Sequence, residues 1–419
     1  MNKMITKRYF IEGESYLRED IPEDLLEKGY FILNPRRGYI LKLCGIVTSK
    51  ESVYIFFPKG YRIHKNDDQN LNFGRMLFKT ISKYKNSIFL KNEEEDWLGR
   101  DNNNIVILDI IQWLIEDYLT NGLFLITERK SELQGSGKID WNKTIKKKLP
   151  FVKNDKLIYL SLITNRSENT NSIISRIHEE IILEIISNFG WLLDIKNSEK
   201  NVSTNLSKNQ QIFVLEKEVK VTFKSREIKL IQTLISYLKG TKNDRDFITL
   251  VTPFFYNIWE TMLMIAFNHN SSLMNKVPRP YWLLDGESEK KYTKQIPDIL
   301  VNDGSDLFII DAKYYAVQSN DVRKFPGWES IVKQMYYNLS LKENKFIDIK
   351  NIFVMPSTHE LIKYKYLGYS SVENKEKEFG LVLAYSVDLE YVIESYVNEK
   401  SLTDLLEAVI LSSQLKVIE

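Results

Sequence analysis

Apolar residues occur in short runs over the first sixty positions and at helical spacing after that. The early runs are rich in aromatic and β-branched residues and are separated by turn formers, which favours a small β-rich unit. The strands predicted there are 30–33, 39–43 and 53–57. Later apolar residues recur every three or four positions, the period of a helix with one face in a core. The helices predicted from this spacing are 71–84, 106–118, 173–189 and 228–238.

The order of elements changes beyond residue 253. A long apolar helix over 254–267 precedes several short strand candidates with another helix between them. Helices that flank a short mixed sheet make an α/β domain, so the predicted class is α/β, or α+β for the chain as a whole. The remaining predicted strands are 281–284, 296–301, 307–313, 352–355 and 381–384, and the remaining predicted helices are 329–341 and 389–411.

A polar stretch divides the chain in this prediction. Asn, Ser, Thr and Lys concentrate at 197–211, and such residues hydrogen-bond their own backbone more readily than they build cores. The 419 residues suffice for two or three domains of ~150 residues. We therefore expect an N-terminal region over 1–205, β-rich at its start and helical later, and a C-terminal α/β domain over 206–419.

Composition and charge exclude several classes of protein. A chain with 43% hydrophobic and 27% charged residues folds into a core and is not disordered overall. The net charge of +2 argues against a protein that coats a polyanion. The single cysteine, Cys44, excludes an intrachain disulfide and a CxxC zinc site and favours a buried thiol in a reducing compartment. Without an apolar signal segment or a run of ~18 apolar residues, we expect a cytoplasmic protein with no membrane segment.

The candidate chemistry lies where two predicted strands end. Pro297-Asp298 is followed thirteen positions later by Asp311-Ala312-Lys313. Successive strand residues alternate faces, so Asp311 and Lys313 are expected to share one face. Two carboxylates and a backbone carbonyl, here that of Ala312, are hard oxygen ligands that suit Mg²⁺, which Mn²⁺ can replace. Lys313 would then orient and deprotonate the attacking water, or stabilise charge in the transition state.

These residues resemble the signature of PD-(D/E)xK nucleases. The resemblance implies that Glu260, on the helix ahead of the strands, helps to hold the metal or its water. It also implies a site role for Gln334, which resembles the glutamine of a Gln-x-x-x-Tyr helix motif, although the tyrosines here lie two and three positions on, at 336 and 337. Two alternatives remain open, because Glu260 could be solvated on the far face of its helix and Gln334 could be an ordinary polar residue.

The wider layout resembles the McrC-like subunits of LlaJI-type restriction systems. It combines an N-terminal non-nuclease half, an element at 137–141, and a nuclease half with Trp259-Glu260 and Lys333-Gln334 beside the acidic motifs. The resemblance implies a Mg²⁺-dependent endonuclease subunit that cuts double-stranded DNA. It further implies assembly with an AAA+ GTPase of the McrB type, whose hydrolysis the N-terminal region stimulates, and it allows dimerisation of the nuclease domain on DNA.

Two other functions remain open from the residues alone. The chain could be a stand-alone, sequence-specific type II restriction endonuclease, or a scaffold that activates a GTPase without cutting DNA. A zinc enzyme is not favoured, because the four histidines show no HxH or HxxxH pairing. Self-contained NTPase activity is not predicted, because Glu132 and Ile139 occupy positions where a GxxxxGK[ST] loop needs Gly and Ser or Thr.

Overall fold

The chain divides into two compact units. Unit 1 comprises Met1–Ile105 and Phe247–Glu419, and unit 2 comprises Val106–Asp246. The structure is a computed structural model. It describes residues 6–48, 52–98, 103–154, 156–170, 172–193, 195, 202–240, 248–293, 296–304, 306–317, 321–342, 346, 348–359 and 361–416.

The N-terminal part of unit 1 is rich in strands, as predicted. Its elements are β1 (Thr6–Ile11), β2 (Ser15–Tyr16), α1 (Glu23–Glu27), β3 (Phe31–Asn34), β4 (Gly38–Leu41), β5 (Cys44–Thr48), β6 (Ser52–Phe57), α2 (Asp67–Lys85) and α3 (Glu95–Leu98). The β1 strand pairs parallel with β6, and β5 pairs antiparallel with β6. Phe10, Phe31 and Phe56 pack with tilted or edge-on rings in the core of this layer. Cys44 is buried and free, which confirms the predicted buried thiol.

Unit 2 combines helices with a small antiparallel sheet. Its elements are α4 (Asn103–Asn121), β7 (Ile126–Leu133), β8 (Lys138–Ile139), α5 (Trp141–Lys147), β9 (Phe151–Lys153), β10 (Lys156–Ile158), β11 (Ile163–Thr170), α6 (Ile173–Leu193), α7 (Lys208–Val219) and α8 (Ser225–Gly240). The sheet has the order β7-β11-β8, and β9 and β10 form a separate hairpin. The element at 137–141 is the junction of β8 and α5, where the Asp140 carboxylate accepts a hydrogen bond from the Lys143 N–H and caps the helix.

His178 on α6 is buried inside unit 2. Its Nδ1 accepts a hydrogen bond from the Phe124 N–H at 3.1 Å, and its Nε2 has no hydrogen-bond partner among the described residues. Burial lowers the pKa of His178 to about 4. The ring is therefore neutral in the folded protein at neutral pH.

Because the His178 ring is buried in its neutral form, we expect the protein to lose stability in acid. An unfolded histidine has a pKa of about 6.5, so the unfolded state binds more protons between pH 4 and 6.5 and becomes more favourable as the pH falls. We expect His178 to contribute a loss of about 2 kcal/mol in the free energy of unfolding between pH 7.5 and 5. The contribution of His178 is measured by urea unfolding of wild type and His178→Gln at both pH values. An equal loss of stability in both proteins would contradict the assignment.

The C-terminal part of unit 1 contains a mixed sheet flanked by helices, which confirms the predicted α/β class. Its elements are β12 (Ile248–Thr252), α9 (Phe255–Ala266), β13 (Tyr281–Trp282), β14 (Lys291–Tyr292), β15 (Ile299–Asp303), β16 (Asp306–Ala312), α10 (Trp328–Leu341), β17 (Asp348–Ser357), β18 (Tyr364–Ser370), α11 (Glu376–Phe379), β19 (Val382–Asp388), α12 (Leu389–Val397) and α13 (Thr403–Lys416). The five-stranded sheet has the order β15-β16-β17-β19-β18. Within it, β16, β17 and β19 run parallel, and β15 and β18 pair antiparallel at the edges.

The division into units differs from the boundary predicted between residues 205 and 206. After unit 2 the chain returns as β12, which pairs antiparallel with β5 of the N-terminal layer. The predicted boundary instead falls inside unit 2, where Thr204 and Gln211 both donate hydrogen bonds to the Glu180 carboxylate on α6. Polar residues concentrate there because they hydrogen-bond to α6 and begin α7, which starts with a capping box at Ser207.

The connection between β16 and β17 contains α10, which packs on one face of the mixed sheet. Tyr337 and Leu341 contact a cluster formed with Leu307 and Ile309, and Met335 packs against a second cluster further along the sheet. None of the helices in the described ranges is both long enough and apolar enough to cross a membrane.

Candidate active site

The strand pairing places Asp298 and Asp311 opposite each other. In the antiparallel pair of β15 and β16, Ile299 lies opposite Ile310, so the next position of the same register sets Asp298 against Asp311. The Ala312 N–H donates a hydrogen bond to Asp298 Oδ2 at 3.0 Å. Two carboxylates therefore meet at one end of this strand pair, as the sequence predicts.

Two lysines lie beside this pair of carboxylates. Lys313 Nζ is 2.8 Å from Asp311 Oδ2, which fits the prediction that these two side chains share a face. Lys333 Nζ, from α10, lies 3.7 Å from Asp298 Oδ1 and 3.9 Å from Asp311 Oδ1. Sequence reasoning gave Lys333 no role, because its position over the carboxylates depends on how α10 packs on the sheet.

Asp311 has unused hydrogen-bonding capacity. It is 1% exposed, and neither of its side-chain oxygens forms a hydrogen bond within the described part of the chain, although the Lys313 ammonium is close to one of them. Buried carboxylates of this kind are costly unless they are paired or bind a metal. The donor set, two carboxylates beside a strand backbone, fits a hard divalent cation.

Burial changes the pKa of Asp298. Burial, followed by the neighbouring Asp311 carboxylate, raises the pKa of Asp298, and the Lys333 ammonium acts in the opposite direction. A carboxyl group with a raised pKa retains its proton to higher pH. A metal that binds these oxygens displaces that proton, so its affinity is expected to rise with pH.

Glu260 on α9 belongs to the same electrostatic cluster. It is half-buried, and burial raises its pKa. The charges of Lys91, Lys333 and Lys313 oppose this rise, whereas that of Asp311 adds to it. Glu260 is therefore not on a fully solvated face of its helix, and its charge interacts with that of Asp311. Within the described residues no three acidic or histidine side chains are arranged as a ready metal cluster.

Gln334 is fully buried on α10, next to Lys333 in sequence. Neither atom of its side-chain amide has a hydrogen-bond partner in the described ranges. Tyr337, three positions on, is also buried, and its hydroxyl group is unpartnered among the same residues. A buried amide without a partner is rare and calls for a bound water, ion or substrate group to satisfy it.

The N-terminal part of unit 1 supports the helix that carries Glu260. Lys91 Nζ donates to Asn257 Oδ1 at 2.7 Å, and Asn257 Nδ2 donates to the buried Glu94 at 3.1 Å. Tyr84 OH donates to the other Glu94 oxygen at 2.7 Å. Asn257 lies about one helical turn before Glu260, so this network fixes α9 next to the aspartates. No local sequence signal could have identified Lys91 and Glu94 as the partners of Asn257, because each lies more than 160 positions from it.

The two tyrosines after Lys313 have different environments. Tyr314 is buried, donates a hydrogen bond to the Glu12 carboxylate at 2.6 Å and accepts one from the Lys59 N–H at 2.9 Å. Tyr315 is 42% exposed. Tyr314 therefore anchors the end of β16 to the N-terminal layer, and only Tyr315 is accessible to a nucleic acid.

Removing the Tyr314 hydroxyl should destabilise the protein. Tyr314→Phe leaves the buried Glu12 carboxylate without its donor, and such unsatisfied groups cost roughly 1–3 kcal/mol. We expect a lower midpoint in thermal unfolding, whereas Tyr315→Phe should unfold as the wild type does. Equal midpoints for Tyr314→Phe and wild type would contradict this role for Tyr314.

Comparisons with known proteins identify a family and several similar proteins. A family model described as "LlaJI restriction endonuclease" matches residues 43–375. The "Type II restriction enzyme BsuMI component YdjA" of Bacillus subtilis (strain 168) is 25% identical over 425 residues, which cover 94% of this chain and 90% of that protein.

Two solved structures are also similar in part. One is a half-complex of Thermococcus gammatolerans McrB AAA+ hexamers with bound McrC, with a TM-score of 0.36 and 13% identity over 96% of this chain and 100% of the matched chain. The other is the McrBC complex of the same organism, with a TM-score of 0.22 and 14% identity over 56% of this chain and 80% of the matched chain.

Proposed function

Because the chain belongs to the LlaJI restriction endonuclease family, we propose that it is a metal-dependent DNA endonuclease subunit of the PD-(D/E)xK type. The family assignment agrees with the resemblance expected from the sequence. The observation that carries the proposal is the meeting of Asp298, Asp311 and Lys313 at one end of β15 and β16. The proposed reaction is attack of water on a phosphodiester bond of double-stranded DNA.

The donor set supports Mg²⁺, with Mn²⁺ as a substitute. Asp298 and Asp311 would hold the ion, and the Ala312 carbonyl leaves the strand on the same edge as its N–H, which faces Asp298. Mg²⁺ commonly binds through one or two protein carboxylates and completes its shell with water and substrate phosphate, so a third acidic ligand is not required. When bound, the ion would polarise the phosphodiester and make water more acidic.

The remaining side chains have separate proposed roles. Lys313 would orient the water and stabilise the charge that develops on the phosphate oxygens, because its ammonium is held 2.8 Å from Asp311. Glu260 would help to hold the metal or a water bound to it, since its charge interacts with those of Asp311, Lys313 and Lys333. Gln334 would use its unpartnered amide to position part of the site.

We propose that the N-terminal region over 1–205 binds an AAA+ GTPase partner of the McrB type and stimulates its GTP hydrolysis. The hairpin of β9 and β10 is exposed along both strands, and large apolar side chains surround it. Exposed apolar patches with polar rims mark interaction sites. The apolar side chains in question are Leu149, Phe151, Val152, Leu157 and Leu160. A net charge of only +2 implies weak autonomous binding to DNA, which a partner would compensate.

Cleavage and association assays test this function. The chain is mixed with its GTPase partner, GTP and double-stranded DNA, and Mg²⁺ is compared with Mn²⁺ and with a chelator. The proposal predicts cleavage with either metal and none with the chelator. Metal-independent cleavage would refute it. Gel filtration of the mixture tests assembly with the partner. In the cleavage assay, paired cuts in both DNA strands would support dimerisation of the nuclease domain on DNA.

A further inference from the structure

Lys333 occupies an unusual position at the mouth of the candidate metal site. Its ammonium lies 3.7 Å from Asp298 Oδ1 and 3.9 Å from Asp311 Oδ1, so one cation faces an oxygen of each carboxylate. A divalent metal shared by these aspartates would bind between the same two groups. The side chain of Lys333 is 32% exposed, compared with 19% for Asp298 and 1% for Asp311, so the lysine is the most accessible of the three.

The other lysine of the site cannot replace Lys333 in this position. Lys313 pairs with the opposite oxygen, Asp311 Oδ2, and forms no ion pair with Asp298 among the residues that the structure describes. Lys313 follows β16 directly, whereas Lys333 belongs to α10 and reaches the carboxylates across the face of the sheet. The two ammonium groups therefore approach the carboxyl pair in the metal-free protein from different sides.

We propose that Lys333 is a built-in counter-ion that holds the metal-binding carboxylates together in the metal-free protein and must be displaced when a divalent metal binds. The inference rests on the proposed metal-dependent function and adds a means of regulating that site. The Lys333 ammonium and a divalent metal are both positively charged and repel each other at short distance. They therefore compete for the same aspartate oxygens. A shift of α10 away from the sheet would move the ammonium and favour metal loading.

This arrangement makes Lys333 a positioning residue that opposes metal binding. Replacing it with a neutral side chain removes a competing cation, so the affinity for metal should increase. The same change removes one of the two cations that pair with the buried Asp311 carboxylate in the metal-free protein, so the melting temperature should fall. A residue that only packs α10 against the sheet would lower the melting temperature without increasing the affinity for metal.

The experiment measures Mn²⁺ binding to the full-length protein by calorimetry and thermal unfolding with and without Mn²⁺. For Lys333→Met we expect the dissociation constant to fall about tenfold and the melting temperature without metal to fall as well. Lys333→Arg, which keeps the charge, should bind Mn²⁺ within about twofold of wild type. Lys342→Met is the matched control, because Lys342 caps the same helix and donates to the Glu378 carbonyl, away from the aspartates. Its Mn²⁺ affinity should not change.

Two results would overturn the proposal, and they are distinguishable. If wild type binds Mn²⁺ through Asp311 but Lys333→Met binds it no more tightly, the counter-ion role is wrong and the metal site stands. If wild type does not bind Mn²⁺, or if Asp311→Asn binds it equally well, the proposed metal-dependent function fails as well. Lys333→Gln, which is neutral and polar, takes the place of Lys333→Met if the methionine variant does not fold.

Discussion

Replacing Asp311 with asparagine should reduce Mg²⁺-dependent DNA cleavage by about a thousandfold or more. Asp311 contributes one of the two carboxylates at the strand ends, and it is buried with oxygens that form no hydrogen bond in the described ranges. A metal ion stabilises developing charge by several kcal/mol, and each 1.4 kcal/mol corresponds to a tenfold change in rate. Asparagine has nearly the same volume as aspartate, so the strand pairing should persist. Because it lacks the negative charge, Mn²⁺ binding should be lost.

The matched control for this variant is Asp303→Asn. Asp303 ends β15, the strand that pairs with the β16 strand of Asp311, at the opposite end of the pair, and it is exposed. Its substitution should leave both cleavage and Mn²⁺ binding as in wild type. Retention of more than about a tenth of the wild-type rate by Asp311→Asn would show that Asp311 does not hold the catalytic metal.

Replacing Lys313 with alanine should lower the cleavage rate by about 10²–10⁴-fold, the range typical of a general acid–base group. The side chain is 17% exposed and its ammonium is 2.8 Å from Asp311. Because it acts on the water and the transition state, its loss should reduce the maximal rate without abolishing Mn²⁺ binding. This separation of effects distinguishes Lys313 from Asp311.

A lysine outside the site provides the comparison. Lys324 is exposed in the short turn ahead of α10 and lies outside the cluster of carboxylates. Lys324→Ala should cut DNA as wild type does. If Lys313→Ala cut at the same rate as Lys324→Ala, the assignment of Lys313 would be wrong.

The acidic motifs could be predicted because their chemistry is local. Asp298 and Asp311 stand at the ends of apolar runs, and the strand period alone puts Asp311 and Lys313 on one face. Their mutual placement also depends on register, since a slip by one residue would reverse the faces. Lys333 could not be assigned, because its role arises from how α10 packs over the sheet.

The organisation of the chain was harder to predict for a related reason. A polar segment and a domain boundary have the same composition, and only tertiary pairing distinguishes them. The return of β12 to β5 joins positions about 200 residues apart in sequence, and no local pattern encodes it. The network from Tyr84 through Glu94 to Asn257 is equally non-local. Sequence therefore identified the chemical groups at the strand ends but not the elements that support them.

Cleavage of plasmid DNA with Mg²⁺ tests the central claim most directly. The chain is assayed alone, and then with its AAA+ GTPase partner and GTP, with Lys313→Ala in parallel. We predict efficient cleavage only with partner and GTP, and its loss in the variant. Sequence-specific cutting by the chain alone would instead indicate a stand-alone restriction endonuclease. GTPase stimulation without any cleavage would indicate a scaffold. Cutting that Lys313→Ala does not reduce would contradict the site described above.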